Sequence, residues 1–199
     1  MHMHTLIIDY IYGKISSQED LGTDEKAMIR YSLEVLINTF LKLFMVFIAF
    51  LLIGKSLEFF YILLCVIGLR SFSGGLHFES FTGCVAFTLI YFIGTLILSH
   101  LLPTTDLLIY MTCFIAFIIT LLFAPVISPK RPKYPNKKIR RFKMASLIFI
   151  IIYLGAYMVI GEHAFFEVTV WGLIIHIIQL FIGKGVNYHV EKKTIHNLQ

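Results

Sequence analysis

A histidine and a cysteine that could act together as a base and a nucleophile lie seven residues apart, at His77 and Cys84. A cysteine attacks as its thiolate, and a neighbouring histidine or a helix N-terminus makes that form available near neutral pH. Cys84 directly follows Gly83 at the start of an apolar segment, so a histidine and a helix N-terminus could both be within its reach. The pair therefore predicts a nucleophilic cysteine with a histidine base. The alternative is a buried thiol that packs as a small apolar residue.

The spacing of this pair restricts the backbone between the two residues. In one straight helix they would share a face but lie about 10.5 Å apart along the axis, which exceeds hydrogen-bond reach. Non-helical turns are permitted by three glycines, Gly74, Gly75 and Gly83. We therefore expect a break in the helix between the histidine and the cysteine. Backbone N–H groups at the helix start near the cysteine could then hold a developing oxyanion.

Four other polar residues are candidates for supporting roles. Arg70 is either a positive anchor at the membrane edge or a clamp for a substrate carboxylate. Glu79 could orient the imidazole, but a solvated loop charge is the preferred interpretation, so it is not placed in the catalytic set. His176 and Gln179 share one face of the last apolar segment, and we interpret them as interhelical hydrogen-bonding residues rather than as a functional site.

Composition places these residues in a membrane protein. Of the 199 residues, 58% are hydrophobic and 15% are charged, whereas soluble domains carry about 25% charged residues. A bundle of short-looped helices would use nearly all of this length. The expected fold class is an all-α, polytopic transmembrane helical bundle, built as a single membrane domain over residues 1–199.

Six apolar segments are candidates for spanning helices, at about 37–54, 57–69, 81–102, 107–127, 144–161 and 165–183. The second is shorter than the roughly 20 residues that a spanning helix needs. Residues 1–36 are predicted to form two amphipathic helices at the membrane surface. Residues 37–183 would be the transmembrane bundle and residues 184–199 a cytoplasmic tail. We see no removable secretory signal at the N-terminus.

Positive charge predicts the orientation of these segments. With the N-terminus inside, all of the 17 lysines and arginines except Lys55 fall on the cytoplasmic side, as the positive-inside rule requires. Both termini and the loop that precedes Cys84 are then cytoplasmic. Lys130, Arg131 and Lys133 lie in a proline-punctuated basic loop that could contact anionic lipids or an acidic substrate segment. The net charge of +5 is therefore assigned to the membrane rather than to nucleic acid.

The remaining cysteines and histidines predict neither a metal site nor a cofactor. Zinc usually takes at least three ligands from protein, and His77 with Cys84 supplies two. Cys65 and Cys113 lie inside apolar segments with no base nearby in sequence, so we expect free thiols in the core rather than a disulfide framework.

An arginine, paired glycines, a histidine and a downstream cysteine occur together in one stretch: Arg70, Gly74, Gly75, His77 and Cys84. This combination resembles the accessory gene regulator B (AgrB) family of Gram-positive bacteria. The resemblance covers most of the chain. It includes the amphipathic N-terminus, Ala124-Pro125 before the lysine-rich loop, and two further apolar segments.

The resemblance implies an enzyme of the cell membrane, a cysteine endopeptidase with Cys84 as nucleophile and His77 as base. Such an enzyme removes the C-terminal tail from a small AgrD-like precursor peptide in a quorum-sensing circuit. The acyl-enzyme then passes to an internal cysteine or serine of the precursor and forms a thiolactone or lactone ring. The resemblance also implies supporting roles for Arg70, Gly74 and Gly75, and a homodimer.

A second hypothesis is a membrane protein without enzymatic activity, such as an exporter or chaperone of a small secreted peptide. It explains the apolar segments and the basic loop equally well. It does not explain why arginine, paired glycine, histidine and cysteine cluster at one membrane edge.

Overall fold

The structure, a computed structural model, describes residues 3–16, 22–76, 80–126 and 134–196. These residues form seven α-helices and no β-strand, which confirms the all-α fold class. The helices are α1 (Met3–Ser16), α2 (Thr23–Leu52), α3 (Ser56–Ser73), α4 (Phe81–Leu101), α5 (Asp106–Phe123), α6 (Asn136–Ile160) and α7 (Ala164–His196).

Six segments of the described helices are long and apolar enough to cross a membrane: Ile29–Leu52, Ser56–Ser73, Phe81–Leu101, Asp106–Phe123, Asn136–Ile160 and Ala164–Val186. The chain is therefore a multi-pass membrane protein. The short second segment predicted at 57–69 is part of the 18-residue helix α3, which is about 27 Å long at 1.5 Å per residue.

Packing divides the chain into two compact units, Met1–Gly54 and Lys55–Gln199. In the first unit, α1 packs on α2, and Arg30 donates to the Asp9 carboxylate over 2.9 Å and lies over the Tyr12 ring. The second amphipathic helix and the first apolar segment, predicted as separate elements, form the single helix α2. No glycine or proline interrupts its sequence, so the helix continues from the polar part into the apolar part.

In the second unit, α7 is the central helix of a five-helix bundle. It packs against α3, α4 and α5, while α6 covers α3 and α5. More than half of the residues in its apolar part are buried, including Val170, Leu173 and Leu180. The helix continues to His196, beyond residue 183 where the last apolar segment was predicted to end, because polar residues also form good helix.

One end of the second unit gathers several chain segments that are distant in sequence. Here the C-termini of α3 and α5 meet through a parallel backbone bridge between Gly74 and Val126. Val126 N–H donates to Ser73 C=O over 2.9 Å, and Gly75 N–H donates to Val126 C=O over 3.3 Å. The start of α4 must lie at the same end, because the connection from α3 to α4 spans only seven residues. We call this end of the unit the α3–α4 end.

Positive charge is concentrated at the α3–α4 end. The described basic residues near it are Arg70, Lys137, Lys138, Arg140, Arg141, Lys143 and Lys184. The opposite end has Lys55, which is paired with Glu58 over 2.8 Å. The charge separation inferred from loop alternation in the sequence is thus also found in the three-dimensional arrangement of this unit.

Candidate active site

Cys84 lies in the first turn of α4 and is half-buried. Ser80, in an extended conformation, caps this helix: its hydroxyl accepts a hydrogen bond from Gly83 N–H over 3.1 Å. Cys84 N–H donates to Ser80 C=O over 3.1 Å. Both of these amides are therefore engaged within the first turn of the helix. A helix N-terminus also stabilises a negative charge such as a thiolate.

Of the three cysteines, Cys84 is the one that is not buried. Cys65 and Cys113 are 2% and 1% exposed and lie in the core, as the sequence predicted for free structural thiols. A nucleophile has to be reached by its substrate. Among the thiols, this arrangement leaves that role to Cys84.

His77 and Glu79 lie outside the described residues. The residues on either side do show the break that the spacing required. Helix α3 ends at Ser73, α4 begins at Phe81, and the positions described between them are not helical. The break is confirmed, and the catalytic pair stays a prediction.

Arg70 lies in the last turn of α3, beside the start of α4. Its guanidinium donates to Leu76 C=O over 3.0 Å and lies 5.6 Å from the centre of the Phe87 ring, a residue of α4. It is also close enough to Cys84 and Tyr91 to interact with them electrostatically. A pure membrane anchor would extend toward the head groups. The half-buried guanidinium instead turns toward the loop and the cysteine.

Gly74 and Gly75 both occupy positions that a side chain would disturb. Gly74 has φ of +75°, and an added Cβ would lie 2.1 Å from Val126 C=O. Gly75 has φ of +150°, and its added Cβ would lie 3.2 Å from the Gln179 side-chain oxygen. These values favour glycine for reasons of backbone conformation and of space. The paired glycine lets the chain after α3 pack closely against two other segments.

A buried polar cluster packs against the paired glycine, and the sequence predicted only part of it. His176 Nε2 lies 2.7 Å from Ser73 Oγ, and Gln179 Nε2 lies 2.5 Å from His176 Nδ1. The interhelical hydrogen bond expected of His176 is therefore present, whereas the interhelical role expected of Gln179 is not, because its hydrogen bond to His176 lies within α7. The sequence signal was two polar residues on one face of an apolar segment. Ser73 gave no signal, because its partner is 103 residues away in the chain.

The basic residues predicted to contact substrate or lipid, Lys130, Arg131 and Lys133, lie outside the described residues. The described part of this region resumes at Tyr134, whose ring lies 4.1 Å from Lys138 Nζ. Lys137 and Lys138 are exposed in the first turn of α6, so positive charge continues from the loop into the helix.

The fold and the site together define a class: a multi-pass helical membrane protein with an accessible cysteine at a helix N-terminus, next to an arginine and a buried polar cluster. Residues 7–180 match the family described as Accessory gene regulator B. The chain therefore belongs to the AgrB family, which works in the agr quorum-sensing system and associates with an AgrD-like precursor peptide.

Two relatives from clostridia extend this comparison. An AgrB-like protein of Clostridium beijerinckii is 30% identical over 133 residues, which cover 66% of this chain and 67% of the relative. An AgrB-like protein of Clostridium perfringens strain SM101 is 32% identical over 151 residues, which cover 72% of this chain and 71% of the relative. No solved structure shows a significant match.

Proposed function

We propose that the chain is a cysteine endopeptidase that removes the C-terminal tail of a small precursor peptide and promotes cyclisation of the remainder. The observation that carries this proposal is the position of Cys84, a half-buried thiol in the first turn of α4, beside Arg70. Family membership supplies the substrate class, a quorum-sensing precursor.

The chemistry requires one base and one nucleophile. His77 takes the proton from the Cys84 thiol, and the thiolate attacks the scissile carbonyl of the precursor. The imidazolium then protonates the departing amine, and the tail leaves while a thioester to Cys84 remains. An internal cysteine or serine of the precursor then attacks this thioester; its proton passes through His77 to the departing Cys84 thiolate, and the ring closes. When the internal residue is a cysteine, the step exchanges one thioester for another and changes bond energy little, so loss of the tail and a site that limits water must favour the ring.

Arg70 is suited to the substrate side of this reaction. One of its N–H groups donates to Leu76 C=O, and a guanidinium has five N–H donors in all. The others can bind a carboxylate of the precursor tail, or the oxyanion that forms beside Cys84. The aromatic contact with Phe87 holds the planar group in place.

The α3–α4 end of the second unit is assigned to the cytoplasmic face, because positive charge is retained on that side during insertion. A membrane-impermeant maleimide added to intact cells should label Pro103→Cys, at an exposed turn of the opposite end, and should leave Lys137→Cys unlabelled. After the cells are permeabilised, both variants should react. The reverse pattern on intact cells would invert the orientation and move Cys84 to the outside.

Trapping the acyl-enzyme tests the proposed reaction directly. Wild-type protein is mixed with a precursor whose internal cysteine is replaced by alanine, so that the thioester cannot be passed on. We expect tail release together with a protein adduct on Cys84 that hydroxylamine removes, both followed by mass spectrometry. Tail release without an adduct would contradict the thioester. Transport of uncut precursor into vesicles would instead support an exporter.

A further inference from the structure

A chain of hydrogen bonds joins the end of α3 to the centre of α7 beneath the paired glycine. Ser73, His176 and Gln179 are 0%, 2% and 2% exposed, so water has little access to them. The two contacts, Ser73 Oγ to His176 Nε2 and His176 Nδ1 to Gln179 Nε2, use both nitrogens of the imidazole. The histidine ring is therefore held at both edges.

The donor and acceptor of each hydrogen bond follow from the Ser73 hydroxyl. The Ser73 hydroxyl donates to Leu69 C=O over 2.8 Å, so its oxygen accepts from His176 Nε2–H. A neutral imidazole then has an unprotonated Nδ1, which accepts from the Gln179 amide N–H. As a consequence the Gln179 side-chain oxygen points away from the histidine. It is buried and has no hydrogen-bond partner among the described residues.

The Gln179 amide lies against the paired glycine. The side-chain oxygen and carbon would lie 3.2 and 3.3 Å from a Cβ added at Gly75. On the same face of α7, one turn further on, Gly183 faces the same stretch: a Cβ added there would make an ordinary contact with Leu76 N at 3.5 Å and a tighter one with Val126 Cγ1 at 3.1 Å. Helix α7 thus provides the surface on which residues 75 and 76 rest. His77 is the next residue in the chain.

Apolar packing alone does not require this arrangement. Three buried polar side chains must be desolvated, and leaving one acceptor without a partner costs further free energy. Well-packed apolar residues of similar volume often stabilise a core equally well. Directional hydrogen bonds do what apolar side chains cannot do: they tie the end of α3 to one rotation of α7, with the Gln179 amide packed against Gly75.

We propose that His176 and Gln179 are positioning residues for the proposed reaction: they hold the end of α3 and Gly75, from which the chain enters the segment that carries His77. This inference rests on the proposed function, in which His77 activates Cys84. Neither residue touches substrate in this role; both act through Ser73 and Gly75.

The test measures the alkylation rate of Cys84 in full-length protein in detergent, without precursor, using iodoacetamide and peptide mass spectrometry. Because the thiolate is the reacting form, this rate reports how well the base is placed. We expect His77→Ala and His176→Ala each to lower the rate about tenfold. Gln179→Met, which keeps the side-chain volume and removes the amide, should lower it in the same direction. Gln179→Met still tests the proposal if His176→Ala does not fold.

The double variant His77→Ala with His176→Ala separates positioning from general damage. If His176 acts through His77, its loss should have no further effect once the base is gone, so the double variant should react at the rate of His77→Ala. The matched control is Tyr153→Phe, which removes the 2.9 Å hydrogen bond to Thr169, also a buried contact of α7. It should lower thermal stability and leave the alkylation rate unchanged.

Two results would overturn the inference, and they differ in what they say about the proposed function. If His77→Ala lowers the rate but His176→Ala and Gln179→Met do not, or if the two losses simply multiply, the positioning role is wrong and the catalytic pair stands. If His77→Ala leaves the rate unchanged, the catalytic pair itself is wrong, and a role in positioning its base is overturned with it.

Discussion

Replacing Cys84 with alanine is expected to lower the rate of tail release by at least about a thousandfold, because it removes the nucleophile on which acyl transfer depends. The residue is half-buried in the first turn of α4, and alanine is well tolerated in a helix, so the protein should remain folded. The measurement uses purified protein in vesicles with a synthetic precursor, and mass spectrometry of the released tail.

The chain offers matched controls for this substitution. Cys65→Ala and Cys113→Ala make the same chemical change at positions that are buried in the core. Each should lower the thermal unfolding temperature through lost packing and leave tail release within a few-fold of wild type. A Cys84→Ala protein that still cuts the precursor would show that another group is the nucleophile.

Replacing Gly74 with alanine is expected to have the second large effect. At φ of +75° and ψ of −150°, a conformation that essentially only glycine adopts, a side chain costs about 1–3 kcal/mol, and the new Cβ would lie 2.1 Å from Val126 C=O. The backbone bridge between α3 and the segment after α5 must then open. We expect a lower unfolding temperature and a loss of tail release of about a hundredfold or more, since small displacements of catalytic groups have large effects.

Gly161 separates the two causes of that effect. It also has φ of +75°, at the end of α6, but an added Cβ there would have no atom within 4 Å. Gly161→Ala therefore carries the conformational cost without the steric clash. It should lower stability by about 1–3 kcal/mol and leave tail release near wild type. If the two variants lose activity equally, the contact with Val126 is not what the paired glycine provides.

Several features of this protein were determined by the sequence alone. The membrane location and the fold class follow from apolar runs, which depend on each segment's own composition. The break before Cys84 follows from the distance that a straight helix would impose. Each of these inferences uses residues that are close together in the chain. One local signal was missed: Pro125 disfavours helix at the preceding residue, so α5 ends at Phe123, whereas the apolar segment was predicted to continue to residue 127.

Helix ends were less well determined. Helix α6 begins at Asn136, although the apolar segment was predicted from residue 144. Lys137, Arg140 and other charged residues form its first two turns, because they are good helix formers and can lie outside the hydrocarbon region. Hydropathy marks the part of a helix that fits the bilayer. It does not mark where the hydrogen-bonded helix starts.

The contacts that hold the candidate site in place depend on the tertiary structure. Nothing near Ser73 in the chain indicates that its hydroxyl meets His176, and nothing near Gly74 indicates a bridge to Val126. These contacts depend on which helices are neighbours, on their rotation and on their axial position. Those quantities are set by the packing of the whole bundle rather than by any local pattern. The residues that could do chemistry were thus readable in the sequence, whereas the residues that hold them in place required the fold.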